Sequence, residues 1–272
     1  MKLSYANQWA FIMGASSGIG YALTEQLLER KAQVVLFARN EDRLERAKNQ
    51  LQNKFPNASI KTKAVDVSDY HALLSCFRQL SIQKIEPYFL FNCVGRAIPK
   101  RFEEIHQEQL QDTFRLNVLS AWNSIQVALP YMKKNGGYIM NISSVAGFVG
   151  VYGYADYSMS KFGIIGLSEV LRSELEPFQI HVSVLCPPDT DTPGFQNENK
   201  TKPEETLAVS AHAQLMSPEA VAFQTLNLLR KNRFIILVNL ESKLTWFLKR
   251  FFPRFLYYFI QKDIRKIQNK QK

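Results

Sequence analysis

The chain has 272 residues, of which 46% are apolar, so it is long enough for one large domain with a sizeable core. Its three cysteines and four histidines show no CxxC, HExxH or clustered spacing, so we predict reduced thiols and no metal. The formal net charge is +10, but residues 243–272 alone hold nine Lys or Arg and one Asp, a net of +8. The rest of the chain is nearly neutral, which argues against nucleic-acid binding.

Short β-branched runs alternate with longer helical patterns, an order typical of βαβ units around a parallel sheet. Strands are predicted at Gln8–Met13, Val34–Phe37, Ser59–Val65, Tyr88–Asn92, Gly137–Ile142, His181–Leu185 and Phe234–Val238. Helices are predicted at Ile19–Arg30, Glu41–Lys54, Asp69–Ser81, Gln107–Lys134, Asp156–Glu176 (stopped by Pro177) and Pro218–Lys231. The segment 187–217 is the longest irregular stretch, and loops of that length are usually functional lids or disordered.

The predicted fold class is therefore α/β. Residues 1–242 are expected to form a single Rossmann-like, doubly wound domain, with a parallel seven-stranded sheet flanked by helices. Residues 187–217 would be its substrate loop, and residues 243–272 a basic, amphipathic helical tail. The first seven residues have neither a basic n-region nor an apolar h-region, and no stretch reaches the roughly 18 apolar residues of a spanning helix. We expect a cytoplasmic protein without an amino-terminal anchor.

A glycine turn, Gly14-Ala15-Ser16-Ser17-Gly18-Ile19-Gly20, separates the first predicted strand from the first predicted helix. Gly14 permits a tight turn, and Gly18 and Gly20 let the backbone approach a pyrophosphate above the helix N-terminus. Ser16 and Ser17 could add hydroxyl donors. In this strand–turn–helix context the glycines predict a dinucleotide cofactor.

The end of the second predicted strand indicates which dinucleotide is bound. Enzymes that prefer NAD place an acidic residue there, whereas this chain has Arg39, with Arg43 one helical turn further on. A 2′-phosphate carries close to two negative charges and suits a bidentate guanidinium. We therefore predict NADPH/NADP+, the alternative being that Arg39 is a solvated surface residue.

Three residues predict proton transfer beside a hydride donor. Tyr157 and Lys161 lie four residues apart, so they share one face of a helix. A tyrosine hydroxyl with a pKa near 10 is a poor acid at neutral pH, and a neighbouring ammonium is expected to lower that pKa. Ser144, after a predicted strand, would hold a carbonyl oxygen. Ser143 is an alternative for that contact.

With the glycine turn, the set of Asn117, Ser144, Tyr157 and Lys161 resembles the short-chain dehydrogenase/reductase family over nearly the whole chain. The resemblance favours Ser144 over Ser143, because it precedes Tyr157 by the family's thirteen residues. It implies that Asn117 anchors a water linking Lys161 to bulk protons. It also implies a homodimer or homotetramer.

The resemblance implies further cofactor contacts. Asp66-Val67 resembles the family's adenine-binding pair, and Asn92 and Gly95 match the ends of its Asn-Asn-Ala-Gly turn. Thr190 and Thr192 stand where the family holds the nicotinamide carboxamide. Departures from the family pattern are Met13 for Thr and Pro188 for Gly.

The sequence of the substrate loop indicates a subfamily. Pro-Pro-Asp-Thr-Asp-Thr-Pro-Gly-Phe at 187–195 resembles the subfamily that reduces 3-ketodihydrosphingosine to dihydrosphingosine with NADPH in sphingolipid synthesis. A lipid-like ketone is therefore the expected substrate. One alternative is a steroid, retinoid or acyl-chain oxidoreductase on the same scaffold. Another is a membrane-bound NADP(H)-sensing interaction protein without turnover.

The tail has an aromatic and a basic side. Apolar residues recur at helical spacing: Leu244, Phe247, Leu248, Phe251, Phe255 and Phe259. Lys249, Arg250 and Arg254 lie on or near the other face, and Pro253 is predicted to begin a second helix. Such a composition suits a helix lying in the interface of a membrane, here its cytosolic face. The alternative is that the aromatic stripe packs on the domain or on a second subunit.

Overall fold

The computed structural model describes residues 3–211 and 213–270. His212 and the outermost residues of the predicted ranges 1–242 and 243–272 therefore lie outside the described residues. The strands are β1 (Trp9–Met13), β2 (Gln33–Ala38), β3 (Ile60–Ala64), β4 (Phe89–Asn92), β5 (Gly137–Ile142), β6 (Ile180–Leu185) and β7 (Ile235–Ile236). They form one parallel sheet in the order β3-β2-β1-β4-β5-β6-β7, which confirms the predicted fold class.

Helices cover both faces of the sheet. They are α1 (Gly18–Glu29), α2 (Glu41–Lys54), α3 (Tyr70–Ile82), α4 (Gln107–Phe114), α5 (Ser120–Asn135), α6 (Ala155–Glu174), α7 (Pro193–Glu198), α8 (Glu204–Ser210), α9 (Pro218–Leu229), α10 (Leu240–Phe251) and α11 (Pro253–Gln268). Alternate residues of β1 point to opposite faces: Ala10 and Ile12 pack with α1, α2 and α9, whereas Phe11 and Met13 pack with α3, α5 and α6. Burial on both faces explains the nearly continuous apolar strands.

The strand order reverses between β1 and β4. The connections that follow these two strands run to opposite faces of the sheet, which opens a crevice at the carboxyl ends of the strands. The glycine turn follows β1, and the turn that contains Gly95 follows β4. The topology therefore brings both turns to the crevice.

The predicted helix over Gln107–Lys134 is interrupted. A π-helical segment at Arg115–Leu119 separates α4 from α5. It contains Asn117, whose side chain bonds to the backbone of Arg96 and to Ser160 Oγ. A π-turn adds a residue to a helix without changing its composition, so a periodicity argument does not detect it.

The segment 187–217 is more regular than predicted, because it contains α7 and α8. Thr192 caps α7 by accepting a hydrogen bond from the Phe195 N–H, and Pro193 occupies the first turn. Two other boundaries differ: α6 ends at Glu174, before a 3₁₀ turn that holds Pro177, and β7 is only two residues long.

The tail forms two consecutive helices, α10 and α11, separated by Phe252, and Pro253 begins α11 as predicted. The helix α10 starts at Leu240, upstream of the predicted boundary. One side of this two-helix tail packs on the domain: Trp246 meets Phe148 edge-on at 4.9 Å between ring centroids, and Leu256 and Ile260 join the same cluster. The helix α11 also contacts α8. Within residues 3–211 and 213–270, no helix is both long and apolar enough to span a membrane.

A buried chain of polar side chains ties the sheet to α6. Asn92 Nδ2 donates to Asn141 Oδ1 at 2.8 Å, and Asn141 Nδ2 donates to Ser168 Oγ at 2.8 Å. Ser168 Oγ in turn donates to the Ile164 carbonyl. Asn92, at the end of β4, is therefore linked through Asn141 to α6.

Asn141→Ala should destabilise the cofactor-free protein by about 2 kcal/mol, because it leaves the buried Asn92 Nδ2 without its acceptor and removes the donor to Ser168 Oγ. Urea unfolding followed by circular dichroism measures this loss. Asn53→Ala, at an exposed position of α2, is the matched control and should stay within about 0.5 kcal/mol. A loss at Asn141 no larger than the control's would contradict the proposed importance of this chain.

Candidate active site

The glycine turn lies at the carboxyl end of β1, above the N-terminus of α1. Gly14 and Gly18 adopt φ angles of +84° and +58°, a region that favours glycine. A Cβ on Gly20 would lie 2.2 Å from the Gly14 carbonyl oxygen, so α1 approaches the turn too closely for any side chain. Ser17 is the N-cap of α1 and makes no side-chain cap bond. The first N–H groups of α1 and the hydroxyls of Ser16 and Ser17 border this turn.

Residues distant in sequence converge around the same crevice. A Cβ on Gly95 would lie 3.1 Å from Lys161 Nζ and 3.4 Å from Asn117 Oδ1. A Cβ on Gly18 would lie 3.1 Å from Thr192 Cγ2. The result is a cradle of glycine backbone, bordered by helix amides and hydroxyls, with an amine at its far end. These groups suit a dinucleotide, whose phosphates need N–H donors and whose sugar needs polar partners.

Thr190 and Thr192 occupy different environments. Thr190 is buried and its Oγ1 donates to the Pro188 carbonyl at 2.8 Å. Thr192 lies against the glycine turn, so the structure brings Thr192 directly to the cradle, whereas the Thr190 hydroxyl is taken up by the backbone of its own loop.

The surroundings of Asp66, the predicted adenine-binding residue, are rich in guanidinium groups. Arg39 is 57% exposed, with Nη1 3.8 Å from Asp66 Oδ2, and Arg115 Nη1 lies 3.1 Å from the same oxygen. Burial pushes the pKa of Asp66 upward, but hydrogen bonds from Ser68 and the two guanidiniums outweigh it and hold that pKa below its ordinary value. Arg115 was not expected here, because nothing in the sequence relates the π-helical segment to β3. Arg43 is exposed and Val67 is buried.

Lys161 is held at the base of the site. Its side chain is buried, and Nζ donates to the Ile142 carbonyl at 2.9 Å and lies 5.6 Å from the centroid of the Tyr157 ring. Burial disfavours the ammonium and lowers the pKa of Lys161 to about 8. The amine can therefore exchange a proton near neutral pH.

The pKa of Tyr157 departs from the expectation. Burial raises it above the ordinary value, the nearby Glu198 and Asp189 carboxylates raise it further, and a hydrogen bond with Ser144 lowers it. The predicted lowering by Lys161 does not prevail, because burial of the phenol has the largest effect on its pKa. Tyr157 is therefore fully protonated at neutral pH.

The two adjacent serines have different surroundings. Ser143 Oγ is fully buried and donates to the Lys161 carbonyl at 2.8 Å, which fixes α6 against the end of β5. Ser144 is half-buried, and its Oγ accepts from the Ala146 N–H at 3.1 Å on the side of Tyr157. Of the two serines, Ser144 is the one with a partly exposed side chain.

A polar cluster in the substrate loop was missed by the sequence analysis. The Tyr154 hydroxyl donates to Glu198, and the Tyr154 ring lies 5.6 Å from the Tyr157 ring. Lys202, almost completely buried, places Nζ 3.5 Å from Glu198 Oε1 and 4.2 Å from the centroid of the Phe195 ring. The i,i+4 spacing of Glu198 and Lys202 was the available signal.

A second set of contacts, further along the substrate loop, holds α8 against the domain. Glu205, on α8, is buried and accepts from Arg101 Nη2 and from the Tyr152 hydroxyl, both at 3.1 Å. Thr206 Oγ1 donates to the Tyr152 carbonyl at 2.8 Å. The loop thus packs as a lid beside Tyr157.

Comparisons with known proteins agree with this geometry. The sequence model of the short chain dehydrogenase family matches residues 8–203. The chain is 38% identical to a 3-dehydrosphinganine reductase of Danio rerio over 82% of its own length and 68% of the relative's. It is 35% identical to a 3-ketodihydrosphingosine reductase of Dictyostelium discoideum, over 86% of the chain and 75% of the relative.

Solved structures show the same fold. A short chain dehydrogenase/reductase from Burkholderia phymatum in complex with NAD superposes with a TM-score of 0.80 at 23% identity, covering 91% of this chain and 94% of that one. The family match and the cradle together indicate a nicotinamide dinucleotide as cofactor. The chain belongs to the short-chain dehydrogenase family and is an oxidoreductase.

Proposed function

We propose that the chain reduces 3-ketodihydrosphingosine to dihydrosphingosine with NADPH. The observation that carries this proposal is the convergence of Ser144, Tyr157 and Lys161 at the end of the glycine cradle, beneath a packed loop. The names of the relatives from Danio rerio and Dictyostelium discoideum support the choice of ketone. That ketone is lipid-like, which fits the exposed apolar side chains of α10 and α11.

The proposed roles follow from the positions of the side chains. Bound NADPH would supply the hydride. Ser144 donates a hydrogen bond to the ketone oxygen and steadies the charge that develops there. Tyr157, protonated at neutral pH, transfers its proton to that oxygen. Lys161, with a pKa of about 8, supplies a proton for the next cycle.

Asn117 has a positioning role in this scheme. Its side chain joins the backbone of Arg96 to Ser160 on α6 and lies beside Lys161 near Gly95. We propose that it keeps the amine of Lys161 at the end of the proton path. Asp66, Asn92, Gly95, Thr190 and Thr192 would complete the cofactor site.

NADPH is preferred over NADH in this proposal because the adenine end presents guanidinium groups. Arg39 is solvent-accessible at the edge of the crevice, so it can close on a 2′-phosphate. Its contact with Asp66 is long at 3.8 Å and is easily exchanged for a phosphate.

We also propose that the two-helix tail, α10 and α11, lies on the cytosolic face of a membrane. Its outer side presents Leu244, Phe247, Phe251, Phe255 and Phe259, each 45–61% exposed. An exposed aromatic stripe rimmed by Lys and Arg matches an anionic bilayer surface, where apolar groups insert and cations meet phosphates. The substrate has a long acyl chain, so docking would give access to it.

A homodimer or homotetramer is proposed on separate grounds. The outward faces of α5 and α6 expose Trp122, Met159, Phe162 and Val170. Exposed apolar residues on two neighbouring helices are typical of a subunit interface.

Tyr157→Phe should lower the rate of NADPH consumption with 3-ketodihydrosphingosine by about 10²- to 10⁴-fold, because the proton donor is lost. NADPH binding, followed by tryptophan fluorescence, should persist. Tyr131→Phe, remote on α5, should keep wild-type activity. Wild-type protein that reduces steroids or short β-ketoesters but not the ketosphingoid base would overturn the substrate assignment. An unchanged rate in Tyr157→Phe would favour a non-catalytic protein.

Arg39→Ala should raise the KM for NADPH by roughly 10- to 100-fold and leave the KM for NADH nearly unchanged, because one charge-assisted phosphate contact is lost. Steady-state kinetics with each cofactor measure this split. Arg46→Ala, exposed on the adjoining α2, is the control. Equal changes for both cofactors would show that Arg39 does not recognise the 2′-phosphate.

The double change Phe251→Asp and Phe255→Asp should weaken binding to phosphatidylserine-containing vesicles by roughly tenfold or more, since two exposed rings no longer insert. Wild-type binding should also weaken as salt is raised. Vesicle co-sedimentation measures both effects. Ile82→Asp, exposed on α3, should bind as the wild type does. Vesicle binding that survives the double change would place the membrane contact elsewhere.

A further inference from the structure

The substrate loop places two carboxylates beside Tyr157. Glu198, on α7, is held by the Tyr154 hydroxyl, and the Tyr154 ring packs 5.6 Å from the Tyr157 ring. Asp189, after β6, is half-buried in the same region. Asp189 lies two residues beyond Pro187, whose carbonyl accepts from the N–H of Val145, the residue after Ser144. Both carboxylates therefore border the place where a ketone oxygen would be protonated, and both raise the pKa of the Tyr157 hydroxyl.

The charges of this cluster are unbalanced. Lys202 supplies the ammonium of the cluster, and its Nζ lies 3.5 Å from Glu198 Oε1. Across residues 3–211 and 213–270, the Asp189 carboxylate accepts no hydrogen bond and has no ion pair within 4.0 Å. Lys202 acts on it only at longer range, and Glu241 adds a further negative charge nearby. A partly buried carboxylate without a close cation is costly, so the cluster favours the entry of one more positive charge.

The cluster already accommodates a primary ammonium. Lys202 Nζ is almost completely buried between the Glu198 carboxylate and the face of the Phe195 ring, 4.2 Å from its centroid. A carboxylate and an aromatic face together are a good environment for a desolvated ammonium. The surroundings of Glu198 are therefore chemically suited to a second amine.

The proposed substrate carries such a group. In 3-ketodihydrosphingosine the carbon bearing the ammonium is bonded directly to the ketone carbon. A ketone held by Ser144 and Tyr157 therefore brings its ammonium to the residues that border Tyr157. Resting on the proposed function, we propose that Glu198 and Asp189 bind the substrate ammonium and select α-ammonium ketones over other long-chain ketones.

This assignment is tested by comparing two substrates in the same mixed micelles: 3-ketodihydrosphingosine and its des-amino analogue, 1-hydroxyoctadecan-3-one. Wild-type protein should prefer the ammonium substrate. Glu198→Gln should lower kcat/KM for that substrate by roughly 10- to 100-fold, as expected for one lost contact to a charged group. The analogue should lose much less, so the ratio of the two kcat/KM values should fall by roughly tenfold or more. Asp189→Asn should reduce the preference in the same direction.

Asp191→Asn is the matched control, because it removes a carboxylate from the same loop at an exposed position. It should leave the preference unchanged. Because Glu198 also contacts Tyr154 and Lys202, its replacement could disturb the loop or the Tyr157 pKa. Either disturbance would slow both substrates alike, so the ratio of the two kcat/KM values isolates ammonium recognition. Asp189→Asn breaks no close contact, so the same comparison of substrates can be made with it if Glu198→Gln fails to fold.

An equal loss on both substrates in both variants would overturn the inference and leave the two carboxylates with a structural role. So would a wild-type enzyme that reduces both ketones equally well, although the proposed function would stand. A wild-type enzyme that reduces neither ketone would instead remove the proposed function itself.

Discussion

The site depends on how α6 is fastened to the end of β5. Lys161 Nζ donates to the Ile142 carbonyl at 2.9 Å, and Ser143 Oγ donates to the Lys161 carbonyl at 2.8 Å. These reciprocal bonds join consecutive residues of the strand end to one residue of the helix. Ser144, the next residue along, is thereby brought to Tyr157, one turn earlier on α6. Strand, helix and reacting groups are thus positioned by these two buried hydrogen bonds.

Burial of these groups also sets their protonation. Desolvation disfavours the charged forms of both partners, so it raises the pKa of Tyr157 and lowers that of Lys161 to about 8. In the proposed reaction, a neutral phenol beside an amine that titrates near neutrality would deliver a proton and then recover it. The carboxylates of the substrate loop add to the rise in the Tyr157 pKa, because they further disfavour a phenolate. The loop therefore affects the protonation of Tyr157 as well as the shape of the site.

The lid and the tail form a continuous structure. Glu205 fastens α8 to Arg101 and Tyr152, and α11 packs against α8. The other helix of the tail, α10, packs through Trp246 on Phe148, which lies four residues beyond Ser144. Contact of the exposed aromatic side with a lipid surface would therefore act on elements that touch the substrate loop. This arrangement offers a physical route by which a bilayer could influence access to the site.

The sequence by itself determined the parallel α/β fold and nominated the glycine turn, Ser144, Tyr157 and Lys161, because periodicity and residue spacing are local properties. The tertiary structure alone decided the rest. It directed Ser143 inward, brought Arg115 to Asp66 through a π-turn, and gave the irregular segment two helices that place Glu198 beside Tyr157. It also raised the Tyr157 pKa where the sequence predicted a fall. Burial and long-range electrostatics depend on neighbours far apart in the chain, so no local pattern encodes them.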